Sequence, residues 1–127
     1  MKIGKEDKIR NFTDLVAWQE AHKLVLEIYK ATAQFPREER YGLIDQLRRA
    51  ALSITANIAE GFSRFHYKER LKFYYTARGS VSEIENDLIA ARDLGLVVPE
   101  TYTDLFSRCE QVRAILNGLI KATASRR

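Results

Sequence analysis

A single cysteine, Cys109, leaves this chain of 127 residues without the pair that an internal disulfide needs. It sits in an apolar helical pattern and reads as a small buried hydrophobe. Two prolines and six glycines leave long stretches in which a helix meets no breaker. No apolar run approaches the roughly 18 residues of a membrane span, so no bilayer crossing is expected. The opening stretch from Met1 to Lys8 lacks the apolar centre of a signal peptide, and a cytoplasmic location is the expectation. The histidines, His22 and His66, stand far apart, with no metal-type neighbour three or four residues away. His22 reads as a satisfied interior side chain. There is no Gly-rich phosphate loop and no Glu-x-x-His pair of the kind that a di-metal bundle uses. No cofactor, metal site or catalytic residue is therefore expected, and the chain does not read as an enzyme.

What is present is a folding composition: 46% hydrophobic and 30% charged residues, enough for one domain with a sizeable core. The net charge of +4 is uneven. Residues 1–78 hold 15 Lys and Arg against 10 Asp and Glu, whereas residues 79–127 hold 6 against 7. That excess permits an anionic partner without demonstrating one.

Four stretches carry helical periodicity, and none of any length alternates with the period of two that a strand shows. The first runs over about residues 14–34, capped by Thr13 or Asp14. Leu15, Trp18, His22, Val25, Ile28 or Tyr29, and Thr32 form its inward face, and Phe35-Pro36 stops it. The second runs from Tyr41 to Gly61, where glycine suits the left-handed position past a helix end. The third covers about 67–94, after a connection in which Ser63 offers a cap. Its inward face is Phe73, Ala77, Ser80, Ile84, Leu88 and Ala91, and Gly79-Ser80 predicts a close approach by a neighbouring backbone. Gly95 ends it. Pro99 opens the fourth, whose stripe of Tyr102, Leu105, Cys109, Val112, Ile115 or Leu116, and Leu119 continues to about 122. Short loops between four helices predict an all-α, up-down-up-down four-helix bundle over residues 12–123. A basic arm (1–11) precedes it and a basic tail (124–127) follows.

The second helix organises the rest. Leu43, Leu47, Ala50, Ala51, Ile54 and Ile58 make a core stripe, and Gln46, Arg49, Ser53, Asn57 and Glu60 run beside it. The far side carries Leu52, Ala56 and Ala59 where a surface helix should be charged. A helix apolar on opposite sides is usually buried on both, which predicts a partner and most simply a second copy of the chain. The polar stripe reads either as a hydrogen-bond network that fixes helix pairing or as the lining of a ligand site. Glu83, Glu85 and Asp87 of the third helix are candidate partners for Arg48, Arg49 or Arg78.

The run from Phe62 to Tyr75 interleaves aromatic and basic residues. Arg64, Lys68 and Lys72 stand four apart and suit a phosphate backbone, with Arg70 and Arg48 as further cations. Phe65 and Tyr67 suit base stacking if they are exposed. The competing reading is a solvated helix face with its aromatics packed inward.

The residues Phe12-Thr-Asp-Leu-Val-Ala-Trp-Gln-Glu-Ala-His22, Tyr41-Gly-Leu43, Gln46-Leu-Arg-Arg-Ala-Ala51, Ser53-Ile54, Asn57-Ile-Ala-Glu-Gly61, Ala77-Arg-Gly-Ser80 and Glu83-Ile-Glu85 make up a recognisable pattern. Over residues 12–122 the chain resembles the bacterial family first named for open reading frames within 23S rRNA intervening sequences. The resemblance implies a small non-enzymatic bundle that assembles as a homopentameric ring. A related branch, the accessory variability determinant proteins of diversity-generating retroelements, shares that fold and binds a reverse transcriptase and its template RNA. RNA or DNA, a reverse transcriptase and further copies of the chain are the partners so implied, and a membrane is not. No binding residue transfers from that branch, which has no fixed binding motif.

Overall fold

A computed structural model describes residues 9–126. The basic arm therefore lies outside the described residues except for Ile9, Arg10 and Asn11, and so does Arg127 of the tail. Four helices follow in order: α1 (Val16–Thr32), α2 (Asp45–Phe62), α3 (Tyr67–Asp93) and α4 (Pro99–Ala124). No strand occurs among the described residues. Each helix packs on its chain neighbours, and α4 closes against α1. Short links reverse the direction each time, giving the expected up-down-up-down bundle. No helix is long and apolar enough to cross a membrane.

The ends follow from local chemistry. Asn11, rather than Thr13 or Asp14, begins the first element. Its side chain accepts from Thr13 N at 3.0 Å, and the Asp14 carboxylate accepts from Asn11 N at 3.1 Å. This reciprocal box closes the single turn Phe12–Asp14 ahead of α1. Before α2 the chain makes a wide turn over Arg40–Ile44, in which Gly42 leaves helical geometry at φ −110°, ψ −112°. Regular helix therefore begins at Asp45 rather than at Tyr41. Gly95, at φ 75°, reverses the chain after α3 as expected, and Pro99 opens α4.

The core stripes of α2, α3 and α4 lie largely where the periodicity places them, except that Tyr74 is buried and the expected Phe73 half-buried, and Ile120 is buried beside the half-buried Leu119. Leu47, Ile54, Ile58, Ile84, Leu88 and Leu116 are all almost fully buried. Cys109 is buried among them, and desolvation pushes its thiol up to about 12. On α1, Val25, Ile28 and Thr32 face inward as expected, Leu15 and Trp18 pack half-buried against the core, and His22 alone departs from the expected face. Ala17, Ala21, Leu24, Val25, Ile28 and Thr32 are buried, whereas His22 is exposed and stacks on Trp18 at 4.8 Å. His22 is thus a surface residue. The small alanines, which let α1 sit close to its neighbours, carry little weight in a reading led by large side chains.

Polar bonds clamp the four seams. Ser80 Oγ donates to Ser53 Oγ at 2.9 Å between α3 and α2. Arg48 Nε donates to Thr32 Oγ1 at 2.9 Å between α2 and α1. Arg108 makes a two-pronged contact from α4 to Glu27 of α1, both bonds at 3.1 Å. Arg113 of α4 holds Glu85 of α3. The acids of α3 therefore do not answer the arginines of α2. Glu85 turns to α4, Arg78 donates to Asn117 of α4, and Asp87 is buried beside Asn86, its Oδ2 without a hydrogen-bond partner among the described residues.

Neither of two glycines has its expected role. Gly61 has helical geometry inside α2, and it marks the close approach: a β-carbon there would stand 2.8 Å from Tyr74 Cε1. Gly79 is exposed, with nothing within 4 Å of where its β-carbon would be.

Candidate nucleic-acid interface

The α2–α3 connection is built by two arginines that brace it from inside. After Phe62, Ser63 Oγ donates to Glu60 O at 2.7 Å, so this serine closes α2 rather than capping α3. His66 occupies the position before α3, in extended geometry and without a side-chain cap. Arg64 turns back along α2: its Nη2 stands 2.7 Å from Glu60 Oε2, and its guanidinium lies 4.8 Å from the centre of the Phe73 ring. Arg70 reaches back from α3, donating through Nε to Arg64 O at 2.7 Å. Its guanidinium lies between Phe62 and Tyr67, at 5.0 and 5.1 Å from the ring centres.

The five candidate cations thus divide. Arg64 precedes α3 and does not share a helical face with the lysines. Arg48 stands at the other end of α2, roughly 24 Å away at 1.5 Å per residue. There it covers the Tyr29 ring at 4.5 Å and ties α2 to α1. Lys68 and Lys72 are exposed, one helical turn apart, with no carboxylate in ion-pair reach among the described residues.

Aromatic groups flank those lysines. Phe65 is 86% exposed, with the edge of its ring pair against His66 at 5.0 Å. Tyr75 continues the spacing of Lys68 and Lys72, is 47% exposed, and carries the Arg78 guanidinium 5.3 Å from its ring centre. Tyr67, by contrast, is half-buried beneath Arg70. Sequence reasoning singled out Phe65 and missed Tyr75, although the spacing of 68, 72 and 75 was legible as one helical face.

The polar stripe of α2 is a packing device at its centre only. Asn57 Nδ2 donates to Ser53 O at 2.8 Å, and Ser53 receives Ser80 from α3. Gln46, Arg49 and Glu60 are exposed, with Arg49 loosely facing Asp45 at 3.9 Å. On the far side Leu52 is 45% exposed, Ala56 is exposed and Ala59 half-buried. Among the described residues no group of three or more His, Cys, Asp or Glu side chains could hold a metal ion.

Comparison with known proteins adds the lineage. The family model described as 23S rRNA-intervening sequence protein matches residues 13–118. The fold is similar to the crystal structure of a protein of unknown function from the S23 ribosomal protein family of Bacteroides thetaiotaomicron. The TM-score is 0.75 at 19% identity, over 84% of this chain and 99% of that one. At that identity the likeness speaks for the fold alone. No curated protein matches the chain.

Proposed function

Because the chain belongs to the 23S rRNA-intervening sequence protein family, we propose that it is a non-catalytic, self-associating bundle that holds RNA along the outer face of α3. One observation carries this reading: Lys68, Lys72 and Tyr75 stand on one exposed helical face, with exposed Phe65 at its head. Cations at a one-turn spacing follow a phosphate backbone, and exposed rings stack on bases without regard to sequence. One copy of such a patch is weak. The resemblance implies five copies in a ring, and repetition raises avidity without any new contact. The retroelement reading would add a reverse transcriptase as partner, and no feature of the described residues selects it.

The test is fluorescence anisotropy with a single-stranded 20-mer RNA between 50 and 200 mM salt. Binding should weaken steeply with salt, and replacing Lys68 and Lys72 by Gln should lower the slope by about 1.4 per contacting copy, at about 0.7 per lost phosphate contact. Binding that ignores salt, or no binding at 50 mM salt, overturns the reading.

A second reading is pure self-assembly through the far side of α2, without nucleic acid. Exposed Leu52 and Ala56 support it, since apolar side chains at adjacent turns of a surface helix normally meet a partner.

A further inference from the structure

The end of the bundle where α2 stops, α3 starts and α4 runs out opens into a groove of about 540 Å³. That volume lies within the usual range of small-ligand sites, about 300–1,000 Å³. Its walls are mostly hydrocarbon and ring, from Leu15, Phe62, Tyr67 and Leu119 among others. Its polar groups are Arg70, Tyr74, Thr123 and Arg126, Ile9 completes its rim, and no Asp or Glu lines it among the described residues. A groove that joins apolar walls to two guanidinium groups, with no carboxylate among its described lining, suits an anion.

The geometry of the cations narrows the anion. Arg70 is held by its Nε bond to Arg64 O and by the rings of Phe62 and Tyr67. Neither of its Nη atoms has a hydrogen-bond partner among the described residues, and those N–H groups suit oxygens of one phosphate. Arg126 lies 5.9 Å from the Tyr67 ring centre, so both cations stand within 6 Å of the centre of one ring. Guanidinium planes and rings also accept a flat base by stacking. Tyr74 is almost fully buried beside them, and burial holds its hydroxyl neutral, with its pKa pushed up although Arg70 pulls it partly back. A bare anion would leave the hydrocarbon walls wet, whereas an anion with a flat apolar body covers them.

We propose that this groove binds one nucleoside monophosphate unit, its phosphate on Arg70 and Arg126 and its base along the ring-lined wall. The unit has two sources, a free nucleotide or the terminal nucleotide of an RNA. The site is separate from the lysine face: Lys68 and Lys72 do not line it.

The test is calorimetric titration of the full chain with adenosine 5′-monophosphate, adenosine and inorganic phosphate. The monophosphate should bind at least about tenfold more tightly than either part. R126Q should weaken it by about tenfold or more, the usual consequence of losing a charged hydrogen bond. Arg126 follows the last helix, so thermal unfolding of R126Q should match the parent. R70K, which keeps the charge and loses the planar stack, should weaken binding by a similar factor. K68Q/K72Q should leave it unchanged, which separates this site from the proposed RNA face. An oligoadenylate with a 5′-phosphate that binds more tightly than the monophosphate, and loses that gain in R126Q, identifies an RNA end as the source. Equal binding identifies the free nucleotide. Phosphate binding as tightly as the monophosphate, no binding of either, or an R126Q variant that binds like the parent overturns the proposal.

Discussion

Gly61 of α2 lies flat against the ring of Tyr74 of α3, so near that a β-carbon on residue 61 would stand 2.8 Å from Cε1 and 3.0 Å from the β-carbon of Phe73. Tyr74 is 1% exposed, so its ring gives way only by displacing packed neighbours or by moving toward the groove that it lines. Alanine would gain about 1 kcal/mol of helix propensity here, but overpacking a full core costs about 1–3 kcal/mol. Gly61→Ala is therefore expected to lose about 1 kcal/mol net in urea unfolding followed by circular dichroism. A variant as stable as the parent would mean that the α2–α3 contact is looser than this geometry.

Gly79 gives the opposite expectation. It sits inside α3 and is exposed, with no atom near the added methyl group. Gly79→Ala should raise stability by about 0.5–1 kcal/mol, because glycine loses more chain entropy than alanine on folding. The same urea experiment reads it. A loss instead of a gain would place a second copy of the chain against this turn of α3.

These two residues show where the sequence was legible and where it was not. The four helices, their order and most core positions follow from apolar spacing, which the bundle obeys along α2, α3 and α4. A glycine within a helix announces that something about its surroundings is special, but not which neighbour approaches, since that depends on the azimuth of two helices at once. The same limit applies to the arginines. Arg48, Arg64 and Arg70 have the composition of a phosphate-binding run, yet each lies against a ring and donates to a nearby oxygen. Only folding sorts the cations that brace the chain from those that remain free. Arg126 escaped notice because its ring partner, Tyr67, lies far away in the sequence.

The α3–α4 seam predicts a dependence on pH. Burial pushes the Glu85 carboxyl up, but hydrogen bonds and charge from Arg113 more than offset this, so it sits below the ordinary 4.5. Glu110, which shares Arg113, is pushed above 4.5, chiefly by the Glu85 carboxyl beside it. A depressed acid stabilises the fold above its unfolded pKa, and that contribution is lost as pH falls through its folded value. Glu110, raised, works in the opposite direction and is exposed. Glu85→Gln should therefore cost about 1–3 kcal/mol at pH 7, the usual loss for a charged hydrogen bond, and progressively less below pH 4.5. Urea unfolding at pH 7, 5 and 3 reads the convergence; a gap between parent and variant that stays constant to pH 3 would show that the charge of Glu85 is not its source.

The far side of α2 decides whether the bundle acts alone. Leu52 is 45% exposed and Ala56 one turn on is exposed, while the same helix buries Ala51, Ile54 and Ile58 completely on its inner side. The inner stripe already serves the chain's own core, so the outer pair contributes nothing to a lone molecule. A carboxylate placed there costs little in a monomer, because its charge stays in water. Between copies it meets an apolar surface without a partner, and an unpaired buried charge is strongly unfavourable. Leu52→Glu is therefore expected to leave the helical circular dichroism nearly unchanged, while the mass by light scattering falls to that of one chain and the urea midpoint loses whatever stability association gave. A parent already monomeric across the accessible concentration range, or a variant that keeps the parent's larger mass, would show that this face is not where copies of the chain meet.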